Sequence, residues 1–592
     1  MKLLERLNSE YAKLHTGFEL LFWEVYMTSP EKGEKMNTAA AKRDAFRASK
    51  KLAVEVDEAL QKAKGEEKSR LLHWKHFFSL FQTPEQVLPL KRKATDIESK
   101  IATIRQTRKE GYTDPYTNTF VEASENKMRG LVRTNPDEKI RKAAYAGLQK
   151  LPLDTLDLYV ELVKVRNEFA RGMGYDNFYA YKLDLDEQMT LDELFSIFNK
   201  LYEKTKYALD DIKALEKQTR GITKPWNFSY MIAGDFVTEE DKYFPLDKAL
   251  LRWGQSFSAL GVGLEGGRLV LDLLDRKGKH NNGFCHYPRI VEFKNGKRVP
   301  AEARVSCTAV VGEIGSGYND GHNTLFHEGG HAADRLNSYQ KDTILNTEYP
   351  PSSVSWAETH SMFMDSMLGG IDWKTRYADY PFELFERKIR KTGFLAPLHI
   401  FSINAVMELE RRIYESKNLT DDEVIKIAQQ TYRKFWGLDD DSLNLLNVSH
   451  IYSWESSGYY HGYGLAELQV CQWREYFYKK YGYIVDNPNV GKELKKVWKL
   501  GSSQPSKEFI KIATGKKLSP DAYIRSVTGT PEQKIKTAKQ RIARLEKVKR
   551  YTKPVNLNGT VIMMHGKKKI ADSTKGFEKM AEKYKKWLNT LK

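Results

Sequence analysis

Apolar side chains recur at three- and four-residue steps through most of the first 220 positions. The segments KLLERLNSEYAKLHTGFELLFWEVY, KRDAFRASKKLAVEVDEALQKA and LDELFSIFNKLYEKTKYALDDIKALEKQ each place them on one helical face. Turn-forming stretches such as TSPEKGEK, TNPDEK and RGMGYDN separate such segments, and no fixed-length repeat is present. The pattern is mixed over 221–265 and changes at 266–312. There LVLDLL, RIVEF and ARVSCTAVV have the character of strands, and EFKNGKRV reads as a hairpin around Asn295-Gly296. Helical periodicity returns from 313. The end, NLNGTVIMMHGKKKIADST followed by KGFEKMAEKYKKWLNTLK, predicts a hairpin and a last helix. The expected architecture is mainly α. It has an N-terminal helical region (1–220), a region holding a small sheet at about 266–312 (221–530), and a C-terminal extension (531–592).

Composition narrows this picture. With 592 residues, 41% of them hydrophobic, and a mean hydropathy of −0.60, the chain reads as soluble and globular with a large core. Its apolar runs fall short of a membrane span, and charges break every apolar stretch of MKLLERLNSEYAKLH, so neither a span nor a signal peptide is expected. Three cysteines without paired spacing, Cys285, Cys307 and Cys471, point to a reducing, cytoplasmic setting. Of the net charge of +18, a surplus of 13 lies in residues 531–592, which hold 18 Lys and Arg against 5 Asp and Glu. Such a segment could bind nucleic acid or an acidic partner, but aromatic residues are sparse and no nucleic-acid motif is present, so a solvated helical face is the simpler reading.

The chemistry concentrates at TLFHEGGHAADRL. His327 and His331, four apart on a helix, share one face and can grip one metal ion. Glu328 follows the first histidine, where its carboxylate can reach a water on the open side of that metal. This is the HExxH arrangement, in which zinc polarises a water and the glutamate takes its proton. Thr324, Leu325, Phe326, Ala332 and Ala333 make the flanks apolar or small, so the helix should be buried. Buried histidines and a buried glutamate are costly unless a metal or hydrogen bonds satisfy them.

A catalytic zinc usually takes three protein ligands. The segment SVSWAETHSMFMDSMLGG reads as a second helix with an apolar stripe of Trp356, Met362, Phe363, Met364 and Met367, stopped by Gly369-Gly370. Glu358 and His360 compete for the third position. They lie on different sides of the helix, so both cannot face the metal, and Glu358 is the better candidate. Asp365, two turns on from Glu358, and Asp334, one turn after His331, could each orient a ligand histidine, or each could be a solvated acid. GEIGSGYNDG lacks the ending of a phosphate loop and reads as a flexible loop leading into the HExxH helix.

These residues resemble the thimet oligopeptidase and oligoendopeptidase F family of zinc peptidases. LVLDLLDRKGKHNNGFCHYP is similar to the family's Asp-containing strand and Arg-x-Gly-Lys turn, and RVPAEARVSCTAVV to the next strands. HNTLFHEGGHA is similar to its core motif. WAETHSMFMD looks like its third-ligand helix, with Glu358, Ser361 and Asp365 in place. HIYSWESSGYYHGYGLAE (450–467) resembles a His- and Tyr-rich loop that hydrogen-bonds substrate. The carry-over gives His450, Tyr460 and Tyr463, with Tyr459 and His461 flanking the same spot. The resemblance covers roughly 265–470 and not the last 60 or so residues. Gly329-Gly330 within the motif departs from some members and suggests close packing against another backbone or local flexibility.

The resemblance implies an elongated, two-lobed helical metallopeptidase whose deep channel admits short peptides. The expected mechanism has one zinc on His327, His331 and Glu358, with Glu328 as general base. His450, Tyr460 and Tyr463 are placed to stabilise the oxyanion. Two other readings remain at this stage. One is a dipeptidyl carboxypeptidase of the angiotensin-converting type, which needs a cationic pocket for the substrate's C-terminus. The other is a non-catalytic metal-binding protein acting through its basic end. Cleavage preference, oligomeric state and the native metal are not encoded in these patterns.

Overall fold

The computed structural model describes residues 3–276, 278–280, 282–347, 353–438 and 441–591. Helices dominate, as the three- and four-residue periodicity requires. The long first helix, Leu3–Met27, buries Leu4, Leu7, Tyr11 and Trp23 along one face. Cap signals coincide with helix starts: Thr190 and Glu193 form a reciprocal capping box at Leu191–Thr205, and Thr530 and Gln533 form another at Pro531–Glu546.

A five-stranded mixed sheet lies in the second half of the chain, in the spatial order 284–289, 302–309, 268–274, 560–565, 568–572. The central strand, Arg268–Leu274, runs parallel to Glu302–Ala309 on one side and to Thr560–His565 on the other. Its near-continuous apolar run fits a strand covered on both faces. The exception is the buried Asp272. Its carboxylate accepts from Arg276 (2.7 Å), Lys279 (3.3 Å) and the Gly566 backbone N–H (3.0 Å). Lys279 also donates to the Asp272, Leu274 and Cys307 carbonyls, so a single buried ammonium ties two strands to the turn between them.

Two sequence expectations are corrected here. RIVEF is not one strand: the edge strand is Phe284–Arg289, and a separate short strand begins at Glu292. The sheet is also not confined to 266–312, because the C-terminal hairpin supplies two of its five strands. The Asn295-Gly296 hairpin is present, with both residues at positive φ (51° and 74°), as a tight two-residue turn demands.

Two large cores organise the helices. One gathers the sheet, the Thr324–Leu336 and Val354–Gly369 helices, and the last helix, Phe577–Asn589. The other joins residues from 94–212 to residues from 400–468. Each lobe therefore draws on distant parts of the chain. The stretch Phe382–Glu415 matches a membrane span in length and mean hydropathy. It is nevertheless broken by a short 3-10 turn at Gly393–Leu395, and its second helix fills the second core with Ile400, Phe401, Val406 and Leu409.

The basic C-terminal segment is structural. Val561, Met563, Ile570, Phe577, Met580, Tyr584 and Leu588 are all buried in the first core. At about 1.5–3 kcal/mol for each large apolar side chain, their burial rivals the net stability of a typical domain. Deleting residues 554–592 is expected to abolish the soluble fold. Met563→Ala should cost about 2–5 kcal/mol and lower Tm by several degrees. Soluble yield and thermal unfolding of the two variants measure this, and a well-folded truncation would refute it.

Candidate active site

The Thr324–Leu336 helix packs on the Val354–Gly369 helix so closely that glycine is required between them. A Cβ on Gly330 would lie 2.7 Å from the His360 carbonyl oxygen and 2.8 Å from the Ser361 Cα. A Cβ on Gly329 would meet the Trp253 ring at 2.4 Å. On the other flank of the second helix, a Cβ on Gly462 would strike Val354 at 2.4 Å. Close packing, rather than flexibility, explains the Gly-Gly pair.

This approach brings His327, His331 and Glu358 together, with candidate ligand atoms all within 4.8 Å of one another. Glu358 Oε2 lies 3.4 Å from His327 Nε2 and 3.6 Å from His331 Nε2. Ligands about 2.0–2.1 Å from a tetrahedral zinc are separated by about 3.4 Å, so this donor set fits the ion. His327 Nδ1–H donates to Asp365 Oδ2 at 2.9 Å, which leaves Nε2 directed at the ligand position. The Tyr459 hydroxyl donates to Glu358 Oε1 (2.9 Å) and Ser361 Oγ–H to Oε2 (3.1 Å).

Electrostatics follow from burial and these contacts. Burial opposes a proton on His327, but the hydrogen bonds to Asp365 and Glu358 outweigh it and lift its pKa to about 10. Burial likewise opposes charge on Glu358, yet His327 and His331 hold it well below the ordinary carboxylate range. Burial raises Asp365, against its bond to His327.

The rival ligand is turned away. His360 Nδ1 accepts from the Trp498 indole N–H at 2.9 Å, and its Nε2 lies 3.6 Å from Asp334 Oδ1. Burial, with Arg335 and His331 nearby, depresses its pKa strongly. Asp334 accepts from Arg335 at 2.8 Å. Asp365 accepts the bond from His327.

Glu328 is buried, and a Cβ built on Gly283 would come within 3.6 Å of its Oε1. The edge strand that starts at Phe284 therefore begins beside the expected base. The first helix packs along this strand from its start: Trp23 and Phe22 meet the Phe284 ring edge-on, His286 Nε2–H donates to the Glu19 carbonyl (2.8 Å), and the His286 ring stacks on Phe22. Upstream of the motif, the expected flexible loop is in part a π-helix, Gly317–Asn323, continuous with the HExxH helix. His322 fixes it, donating from Nδ1 to the Gly317 carbonyl (2.8 Å) and accepting from Arg252 at Nε2 (3.3 Å). Its pKa falls to about 3, chiefly through burial.

The second lobe brings the aromatic group. His450 lies in a short 3-10 turn, Ser449–Tyr452, and its ring centroid is 5.8, 5.2 and 6.2 Å from those of Tyr459, Tyr460 and Tyr463. Tyr460 opens the helix Tyr460–Tyr481. Tyr459 and Tyr463, four apart, share the face turned toward the triad. Tyr463 feels the charges of Glu358 and Glu328, whereas Tyr460 feels Glu410 and Arg129. Burial lowers the His450 pKa against the pull of Glu358. His461 is buried against Tyr179 and is not part of the group. Sequence reading missed the Tyr459 bond to Glu358; its i,i+4 spacing from Tyr463 was the available signal. No disulfide is present among the described residues, and Cys307 and Cys471 are raised by burial.

Two buried glutamates set the site's scaffold. Glu187 accepts from the Ser355 N–H (2.7 Å) and from the Ser353 and Ser355 hydroxyls at the start of the Glu358 helix. Glu410 accepts from Ser457 Oγ–H (2.9 Å) and the Gly458 N–H (2.8 Å), just before Tyr459. Burial raises both to a pKa of about 7, against these hydrogen bonds.

Two outcomes follow. Asp365→Asn should weaken zinc binding about 10- to 100-fold in a competitive chelator titration, and unchanged affinity would sink the orienting role. A raised carboxylate pKa contributes stability that is complete below about 4.5 and is lost as pH climbs through 7. Glu410→Gln, whose amide oxygen can keep both bonds, should therefore lose less stability than wild type between pH 5 and 8. The difference is about 3 kcal/mol at most, and Glu187 leaves a residual slope. Superimposable Tm–pH curves would refute this.

Comparison with known proteins bears on the family and the fold. The sequence pattern described as peptidase family M3 matches residues 131–529. No curated protein matches the chain by sequence. Among solved structures, Trypanosoma cruzi metallocarboxypeptidase 1 superposes with a TM-score of 0.61 at 17% identity, covering 89% of this chain and 99% of its own. The M32 carboxypeptidase of Deinococcus radiodurans R1 gives 0.59 at 16%, covering 90% and 99%. A structure described as oligoendopeptidase F gives 0.61 at 17%, covering 90% and 91%. These three share the fold. With two thirds of its length matched by one family pattern and a His-His-Glu metal triad assembled in three dimensions, this chain is a metallopeptidase belonging to peptidase family M3.

Proposed function

We propose that this protein is a zinc-dependent oligopeptidase that hydrolyses internal bonds of short, unfolded peptides. The observation that carries the reading is the pairing of the His327–His331–Glu358 triad with a buried Glu328 beside the start of an edge strand. His327, His331 and Glu358 would hold one zinc, which when bound supplies Lewis acidity to a water and to the scissile carbonyl. Glu328 takes the proton of the attacking water and passes it to the leaving amine. The backbone at 283–284 offers hydrogen bonds to an extended substrate, which gives affinity with little sequence preference. His450 and Tyr463, with Tyr460 beside them, donate hydrogen bonds to the developing oxyanion. Because these donors belong to one lobe and the triad to the other, substrate must lie between the lobes, which favours short flexible chains over folded proteins.

A carboxypeptidase mode is the second reading, favoured by fold similarity to two structures named as carboxypeptidases. The cytoplasm is the proposed location, since no disulfide joins the cysteines.

The test compares wild type and Glu328→Gln on a quenched fluorescent peptide library, with metal content measured for both. Wild type is expected to cleave short peptides. The variant should lose at least about a thousandfold in kcat while holding the same zinc. Retained activity in the variant would remove Glu328 as the base. Amidated C-termini separate the two modes: cleavage that survives amidation supports the endopeptidase, and cleavage abolished by it supports the carboxypeptidase.

A further inference from the structure

The C-terminal ends of two site helices, Val354–Gly369 and Tyr460–Tyr481, meet the basic helix Pro531–Glu546 around a cavity of about 750 Å³. Its wall carries Arg474, Lys479, Arg525, Lys534 and Arg541, against one lining carboxylate, Glu475. That carboxylate is already committed. It takes both nitrogens of the Arg525 fork (3.1 and 2.8 Å) and lies 2.9 Å from Lys479. Lys534 is also committed, donating to the Gly393 and Val527 carbonyls at 2.8 and 3.0 Å.

Two guanidinium groups are left over. Arg474 sits 5.7 Å and Arg541 3.9 Å from the centroid of the same Tyr478 ring. Arg474 makes one neutral hydrogen bond, to Ser366 Oγ at 3.0 Å. Among the described residues neither has an ion-pair partner. Asp372, the nearby acid, accepts from the Tyr478 hydroxyl (2.9 Å) and the Trp373 N–H (3.2 Å).

A concavity whose lining carries a surplus of one sign of charge focuses its field on counter-ions. Planar guanidinium forks, held on an aromatic face, match phosphate oxygens bidentately. The volume lies within the range that small ligands fill and is much larger than a single phosphate needs. We propose that this cavity is a binding site for a phosphate-bearing small ligand, an oligophosphate or a nucleotide, held by Arg474 and Arg541. The site is separate from the metal triad and adjoins it through one helix. Ser366, which Arg474 touches, follows Asp365, and Asp365 orients His327. The basic extension, otherwise structural, gains here a direct role in recognition through Arg541.

The experiment is calorimetric titration of the full chain with sodium tripolyphosphate and, separately, adenosine triphosphate. Ionic strength is held constant and metal content checked after each run, because both probes chelate cations. One saturable site per chain is expected, weakened about tenfold or more in Arg541→Gln and in Arg474→Gln. Arg541 packs on the Tyr478 ring and makes no hydrogen bond within the described residues, so its variant should fold normally even if Arg474→Gln does not. A Lys583→Gln/Lys586→Gln variant, changed on the exposed face of the last helix, should bind as wild type does. Equal binding of both probes identifies the phosphates as the recognised group, and binding of adenosine triphosphate alone identifies a nucleotide. No saturable binding, or equal loss in the Lys583/Lys586 variant and in Arg541→Gln, overturns the proposal.

Discussion

The site depends on a backbone contact. Two helices approach until the carbonyl of His360 and the Cα of Ser361 occupy the space a side chain at position 330 would need. Any residue larger than glycine would push the helices apart, and the separation of His331 from Glu358 would grow with them. Helix-interior glycine costs about 1 kcal/mol against alanine. Here the cost is offset by a geometry in which three ligand atoms meet without long side chains having to reach. The Gly462–Val354 contact repeats the arrangement on the opposite flank, so the Glu358 helix is clasped between two others.

That clasp concentrates charge where water is scarce. Two imidazoles and two carboxylates, Glu358 and Asp365, neutralise one another through short contacts. The set is held from outside by Tyr459 and Ser361, which take up the lone pairs of Glu358. Each partner comes from a different direction: the HExxH helix, the Glu358 helix and the second lobe. A cation entering the triad therefore meets oriented donors and needs little rearrangement, which is the physical content of preorganisation.

The sheet serves this arrangement from below. Its central strand lies between strands separated from it by some thirty and some three hundred residues, and Asp272 locks the join through Arg276, Lys279 and Gly566. The C-terminal segment is basic on its exposed face because its apolar residues point inward. Its composition alone resembled a solvated appendage, since averaging charge over the segment hides the alternation that buries Val561 and Met563.

The sequence by itself determined what local periodicity and fixed spacing encode. Helical faces, the 292–299 hairpin and the last hairpin and helix were legible from 3.6- and 2-residue periods. His327, Glu328 and His331 were legible because one helical turn places them; helix angles excluded Glu358 and His360 from ligating together, and a carboxylate within an apolar stripe needs a partner, which favoured Glu358. What only tertiary structure decided involves partners distant in the chain. The pairing of strand 560–565 with 268–274 has no local signature, because parallel strands are joined by long connections. The bond between His327 and Asp365, the bond from Tyr459, and the facing of Tyr463 rather than Tyr460 toward the triad depend on how whole helices rotate when packed. The π-helix before the motif was equally hidden, since it is fixed by His322 reaching Arg252 across 70 residues. Spacing names the groups that share a face; packing decides which face meets which.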